Sequence, residues 1–247
     1  MATEAQEYGQ MNFDLPHDVV GLPSQGWFYK GKKSSIKVGY LTAADENIIM
    51  AGGTDMVLNL LRNKIYEPGM KVEELLEGDI EALLIFLRNT AFGPEVELKL
   101  TDPKTQKQFT TNIRLDELTI INGEQPGEDG FFETMLPISG ANVKLKSLTY
   151  GEVNEIQKQV DTYPQGRVAP RRTWRLQKEI VAVDGNTDKG MISRFIETMM
   201  IADSKHIKKF MDKNEPRLDM SRIVMTPSGE RLTVNVGFGV EFFRPFF

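Results

Sequence analysis

The chain has 247 residues, 26% charged and 40% hydrophobic, a globular balance that argues against wholesale disorder, collagen-like or coiled-coil composition. Its 30 basic and 35 acidic residues leave a formal charge of -5, without the broad positive field of a general nucleic-acid binder. There is no cysteine, and only His17 and His206 carry imidazoles, which excludes disulfides, thiol catalysis, and thiolate or imidazole-rich metal sites.

The first sixteen residues, MATEAQEYGQMNFDLP, are acidic and polar where a signal peptide would be basic and then apolar. The most apolar stretch, Leu83 to Leu87, is far below the roughly 20 residues a bilayer requires. Synthesis in a cytoplasm with no membrane contact is therefore expected. His17 falls in an N-terminal loop. After Leu22-Pro23-Ser24-Gln25-Gly26, residues Ile36 to Thr42 alternate apolar residues with Lys and read as a strand with one buried face. Thr42 and Asp45 then form a capping box for an apolar helix containing Asn47 and Ile48. Gly52-Gly53-Thr54-Asp55 reads as a helix terminator followed by the next cap. Val72, Leu75, Leu76, Ile80, Leu83, Leu84 and Leu87 fall on one continuous helical face. A hairpin follows, with Glu97–Leu100 turning through Asp102-Pro103-Lys104-Thr105 into Phe109–Ile113.

The segment 122–130 is rich in Gly, Pro and acid and reads as a linker. Beyond it the first pattern returns. Leu136-Pro137-Ile138-Ser139-Gly140 echoes residues 22–26, and Val143 to Thr149 repeats the strand and cap at an offset of 107. Thr149 pairs with Glu152 as the second capping box, ahead of a helix with Asn154 and Ile156. Ile192, Phe195, Ile196, Met199 and Met200 form a periodic helix, and Asp203-Ser204 can cap another carrying Ile207, Phe210 and Met211. A second hairpin runs from Ile223-Val224-Met225 through Thr226-Pro227-Ser228-Gly229 to Leu232–Val236. Gly237-Phe238-Gly239 reads as a bend in a last strand. The expected fold is α+β in two related halves, each a strand, a capped helix, an amphipathic helix and a β-hairpin; the alternative is an ordinary α+β chain in which short capping and hairpin motifs recur. Residues 1–121 form the N-terminal half, 122–130 the linker, and 131–247 the C-terminal half with its aromatic tail.

Chemistry is sparse. The acid pairs Asp45-Glu46, Glu73-Glu74 and Asp116-Glu117 do not face each other on a helix and read as solvated surface. No acid sits in the apolar surroundings that would raise its pKa for catalysis. His206 reads as a surface residue and Ser204 as a cap, so no nucleophile–base pair emerges. Neither GxxxxGK[ST] nor GxGxxG is present. No catalytic, cofactor-binding or metal-binding residue is therefore expected. The one basic cluster holds Arg167, Arg171, Arg172 and Arg175 around Trp174. It could contact nucleic acid, but the net charge favours a protein partner. The end of the chain carries Phe242, Phe243, Phe246 and Phe247, an aromatic surface that either folds into the core or docks into a neighbour.

Several of these stretches, in order, carry a resemblance. Leu22-Pro23-Ser24-Gln25-Gly26-Trp27-Phe28-Tyr29, then Leu41-Thr42 and Asp45-Glu46, resembles the LPS-x-G-x-x-Y … LT-x-x-DE signature of the baseplate hub proteins of contractile-tailed T-even-type bacteriophages. Leu87-Arg88 with Phe92-Gly93 resembles that family's LR-x-x-x-[YF]G segment. Asp203-Ser204-Lys205 with Pro216 and Asp219 resembles D-S-[RK] … P-x-[IL]-D, and Val240 to Pro245 resembles V-x-FF-x-P. Many relatives carry C-P-x-C pairs in the two hairpins; this chain has Asp102 and Thr105 in the first and Thr226-Pro227-Ser228-Gly229 in the second, so it cannot build that zinc site. The resemblance implies a non-enzymatic hub subunit of the tail baseplate, resident in the virion and touching other hub, wedge or tail-tube proteins, with self-association possible. A transient hub-assembly chaperone is the nearest alternative, and a phage wall hydrolase or a nucleic-acid-binding module are the others. The expected contact residues are Leu22, Pro23, Trp27 and Tyr29; Arg167, Arg171, Arg172, Trp174 and Arg175; and Phe242, Phe243, Phe246 and Phe247.

Overall fold

The computed structural model describes residues 16–29, 31–237 and 240–243. β1 (His17–Gly21) and β2 (Ser35–Gly39) pair antiparallel with His17 opposite Gly39, so His17 is a strand residue and not the loop residue its flanking Pro indicates. Ile36 and Val38 are buried while Lys37 between them is exposed, the alternation of a strand with one face on a core. α1 (Ala43–Ala51) opens on the expected capping box, in which the Asp45 carboxylate accepts from the Thr42 N–H at 2.6 Å and from its hydroxyl at 2.8 Å. α2 (Met56–Arg62) follows. Asp55 precedes it without capping it; its carboxylate instead accepts from Asn154 at 3.0 Å and pairs with Lys158 at 2.8 Å.

The periodic run from Val72 to Leu87 buries all seven apolar residues, but not as one helix. Val72–Glu74 is a single 3₁₀ turn, Leu75 and Leu76 are extended, and α3 spans Glu77–Phe92. The break has a cause. The Leu75 carbonyl accepts from the Tyr150 N–H at 2.7 Å and the Leu76 N–H donates to the Tyr29 hydroxyl at 2.8 Å, so these backbone groups are spent on tertiary partners. β3 (Glu95–Thr101) and β4 (Gln108–Arg114) form the first hairpin, and β5 (Ile120–Ile121) ends this part of the chain.

β6 (Phe132–Met135), β7 (Asn142–Leu145) and β8 (Ile180–Val183) make a three-stranded antiparallel sheet. α4 (Tyr150–Asp161) starts on the second capping box, with Glu152 N–H donating to the Thr149 hydroxyl at 3.3 Å and Thr149 N–H to the Glu152 carboxylate at 3.2 Å. α5 (Arg171–Glu179), α6 (Lys189–Thr198) and α7 (Ile201–Asn214) complete the helices. β9 (Arg217–Leu218) pairs back with β5, and β10 (Ser221–Met225) with β11 (Arg231–Asn235) form the second hairpin. β11 ends at Asn235, so Gly237 is not in a strand, and Phe238 and Gly239 lie outside the described residues.

The chain is α+β, with two apolar cores. One gathers α1 to α3, β2 and Ile113; the other gathers β6 to β8 with Leu176, Ile192, Ile196, Ile207 and Met211. The first also takes in Leu218, Val224, Val236, Phe242 and Phe243 from the far end of the chain. The second hairpin therefore packs on the N-terminal core although the sequence groups it with the C-terminal half. The linker runs close to the end of α7: Glu124 N–H donates to the Asn214 carbonyl at 3.1 Å, and a Cβ on Gly123 would lie 1.9 Å from that oxygen, so only glycine fits there.

Candidate functional site

Each Leu-Pro-x-x-Gly turn is held by an aspartate. In the first half, Asp79 at the third position of α3 is fully buried. One of its oxygens accepts from the Ser24 N–H at 2.9 Å and the other from the Tyr29 hydroxyl. Burial pushes the Asp79 carboxyl up from its ordinary range, and these two donors oppose the rise. In the second half, Asp203 at the third position of α7 accepts from the Ile138 N–H at 2.8 Å and the Ser139 N–H at 3.0 Å. Burial pushes it up as well, but here the backbone donors win and hold it below the carboxylate range. Asp203 and Ser204 do not cap α7. Asp203 caps the neighbouring turn, and Ser204 accepts from Arg172 at 3.2 Å. Sequence reasoning missed both aspartates as turn anchors. The shared LP-x-x-G spelling, each with an acid inside the first turn of a later helix, was the available signal.

The acid pairs are not all solvated. Asp116 and Glu117 are exposed, but Asp45 is buried against Lys64 at 2.5 Å, with both side chains 4% exposed. Two further carboxylates lie between the halves. Glu81 on α3 and Glu215 after α7 face a cavity of about 60 Å³, together with Glu77, Ser147, Arg175 and Arg217. Burial pushes each to about 7, with Glu77 adding to the rise at Glu81 and Arg175 opposing it at Glu215. Glu81 Oε2 has no hydrogen-bond partner among the described residues. The expectation that no acid occupies such surroundings therefore fails, because residues far apart in sequence supply the burial. A space of this size holds a few waters and no sugar ring.

The expected contact residues separate into two groups. Leu22 and Pro23 are buried inside the chain, Tyr29 is engaged with Asp79, and Phe242 and Phe243 are buried in the first core, their rings edge to face at 4.9 Å. These five fold inward and are not free surface. Trp27 is partly buried beside Phe28 in a groove between the first turn and residues 125–131. Phe246 and Phe247 lie outside the described residues. The arginine cluster is divided too. Arg172 and Arg175 both bind the buried Glu179, at 3.2 and 2.6 Å, and Arg175 reaches Glu77 at 3.6 Å, so these two tie α5 to α7 and α3. Trp174 packs edge-on against Tyr163 at 5.7 Å. Arg167 and Arg171 are exposed and carry no ion pair among the described residues, and Val168 between them is 93% exposed. His206 is half-buried, with Nε2 at 2.9 Å from the Thr134 hydroxyl.

The two hairpin tips meet. Asp102, fully buried, accepts from the Lys104 N–H at 2.9 Å, the Thr105 N–H at 3.3 Å, the Ser228 N–H at 3.1 Å and the Ser228 hydroxyl at 3.0 Å. Burial opposes ionisation here, but the four donors hold the carboxyl below its usual range. Residues 102–105 and 226–229 are thus clasped by hydrogen bonds at the turns where the hub proteins resembled above place cysteines.

A family model described as T4 bacteriophage base plate protein matches residues 28–228. The chain belongs to that family. No curated protein and no solved structure matches it at a significant level. The match takes in β2, α1 to α7, the first hairpin, Tyr29 and Asp79, the Asp203-held turn and the arginine segment; β1, residues 22–26 and β11 lie outside it. A baseplate protein has a structural or assembly role in the phage tail, among other baseplate proteins. Among the described residues, no helix of this baseplate protein is long and apolar enough to cross a membrane.

Proposed function

We propose that this baseplate protein is a non-enzymatic subunit of the hub region that remains in the finished tail and works through contacts with hub, wedge or tail-tube proteins. The observation that carries this reading is how the chain uses its charged and aromatic side chains. Leu22, Pro23, Tyr29, Arg172, Arg175, Asp203 and Phe242–Phe243 brace its own fold, while Arg167 and Val168 before α5 and Arg171 at its first position stand exposed, the two arginines with no ion pair among the described residues. An exposed aliphatic residue between two free guanidinium groups is an interface anchor in search of an acidic partner. The hydrolase alternative is weakened because the two carboxylates raised towards 7 line a space too small for a saccharide. The nucleic-acid alternative is weakened because half of the arginine cluster is committed to Glu179. Mass spectrometry of purified tails tests the reading: this chain is expected at stoichiometric abundance, and its absence would transfer the role to a transient assembly chaperone.

A further inference from the structure

The two Asp-held turns differ in what covers them. In the first, the chain folds back on itself. Tyr29 reaches Asp79, and the backbone of Lys32 and Lys33 passes so near that a Cβ on Gly26 would lie 2.5 Å from it; Ser24 is fully buried. In the second, the chain leaves Gly140 directly for β7 and does not fold back over the turn. Ile138, at the position of Ser24, is 60% exposed. Beside the same aspartate, at the start of α7, Met200 is 60% and Ile201 75% exposed. Three large apolar side chains left wet beside one turn mark an interaction surface. The patch is also rigid. Asp203 fixes the turn to α7, and the Thr134–His206 contact fixes β6 to the next turn of that helix.

Its rim is basic. Lys205 and Lys209, on the exposed side of α7, have no ion pair among the described residues, whereas Lys208 is paired with Asp212. The two unpaired lysines favour a partner surface that carries carboxylates. We propose that the surface of Ile138, Met200 and Ile201 docks another tail protein, which inserts an apolar or aromatic side chain over the turn and presents carboxylates to Lys205 and Lys209. The partner's segment would take the place that Trp27 to Tyr29 takes in the first half. This rests on the baseplate reading only in taking the partner to be a tail protein.

The test places the photo-crosslinking residue benzoylphenylalanine at position 201 in cells assembling the phage tail, followed by irradiation and mass-spectrometric identification of the adduct. A cross-link to a different tail protein is expected. With Lys205→Glu and Lys209→Glu combined, its yield should fall about tenfold, while the melting midpoint of the purified protein stays unchanged because both lysines are exposed. No adduct, an adduct only to a second copy, or an adduct indifferent to the charge reversal would each overturn the proposal. The outcome is separable from that of the tail inventory. A chain absent from tails that still cross-links during assembly rejects residency alone, and a resident chain without the adduct rejects the patch alone.

Discussion

Replacing Tyr29 by Phe removes one oxygen atom and tests the anchor of the signature turn. That hydroxyl donates to Asp79 and accepts from the Leu76 N–H at 2.8 Å, in a site where Asp79 is fully buried. The substitution leaves the N–H without a partner, costing about 1–3 kcal/mol, and takes one of two donors from a buried carboxylate, costing about as much again. A total of roughly 3–5 kcal/mol corresponds to a fall in melting midpoint of about 10 °C for a chain of this size. Urea unfolding followed by circular dichroism, with a thermal melt alongside, reads both quantities. The loss should shrink in acid. Asp79 is already pushed up by burial, so the native state holds a proton that the unfolded state has released in the window above the ordinary carboxylate value. Protonation relieves the lost donor. Tyr29→Phe in an Asp79→Asn background should cost at least about 1 kcal/mol less than alone, the coupling expected of residues in one hydrogen-bond network. A loss below about 0.5 kcal/mol, a size ordinary for surface substitutions, or a coupling of zero, would refute the anchor.

Other consequences are independent of that turn. Glu81 and Glu215 have folded values of about 7 against an ordinary 4.5, so the native state binds more protons between those limits and stability falls as pH rises through that window. Each contributes at most about 3 kcal/mol, and the double Glu81→Gln, Glu215→Gln variant should lose less stability than the parent as pH rises from about 4.5 to 7; a slope equal to the parent's would count against the seam. Lys64→Met strands the buried Asp45 carboxylate and should cost about 3–5 kcal/mol in the same assay, whereas a cost under about 1 kcal/mol would mean that the pair is wet. Asp102→Ala should speed hydrogen exchange at the Lys104, Thr105 and Ser228 amides, all of which it accepts from, and a chelator should leave the parent's melting midpoint unmoved. Unchanged exchange at Ser228 would break the proposed link between the hairpins.

The local chemistry of the fold was legible. Thr42 with Asp45 and Thr149 with Glu152 form their capping boxes, and the Pro-containing turns close both hairpins, because each of these depends on residues a few positions apart. The α3 boundary was misjudged because the pattern from Val72 to Leu87 records burial, not conformation. Leu75 and Leu76 keep the apolar period while their backbone groups bond to Tyr150 and Tyr29. The acids were misjudged for the same reason at longer range. Asp45 meets Lys64, Asp79 meets Tyr29, and Asp102 meets Ser228, and nothing in the spacing of a single sequence announces those pairs. The aromatic tail offered two readings, and Phe242 and Phe243 take the inward one.

The residues that carry the family resemblance turn out to be the residues that build the scaffold. Ser24 and Tyr29 hold Asp79, and Asp45 caps α1 while neutralising Lys64. Arg88 reaches past the end of α3 to the Gly93 carbonyl at 2.7 Å and the Glu95 carbonyl at 3.1 Å, with Phe92 under its guanidinium, so this signature segment locks the helix to β3. Asp203 holds the second turn, the Asp219 N–H donates to the Thr119 carbonyl at 2.8 Å beside the β5–β9 pair, and Phe243 fills the first core. Each is consumed inside the chain. A residue fully engaged in its own fold cannot also discriminate between partners without unfolding something. Partner choice must then reside in side chains outside the signature, and two exposed sets with unspent charge or apolar area are Arg167, Val168 and Arg171 at the start of α5, and Ile138, Met200 and Ile201 with Lys205 and Lys209 at α7. Substitutions at the signature should therefore lower stability and all contacts together, while substitutions at these two surfaces should remove one contact and leave the fold intact.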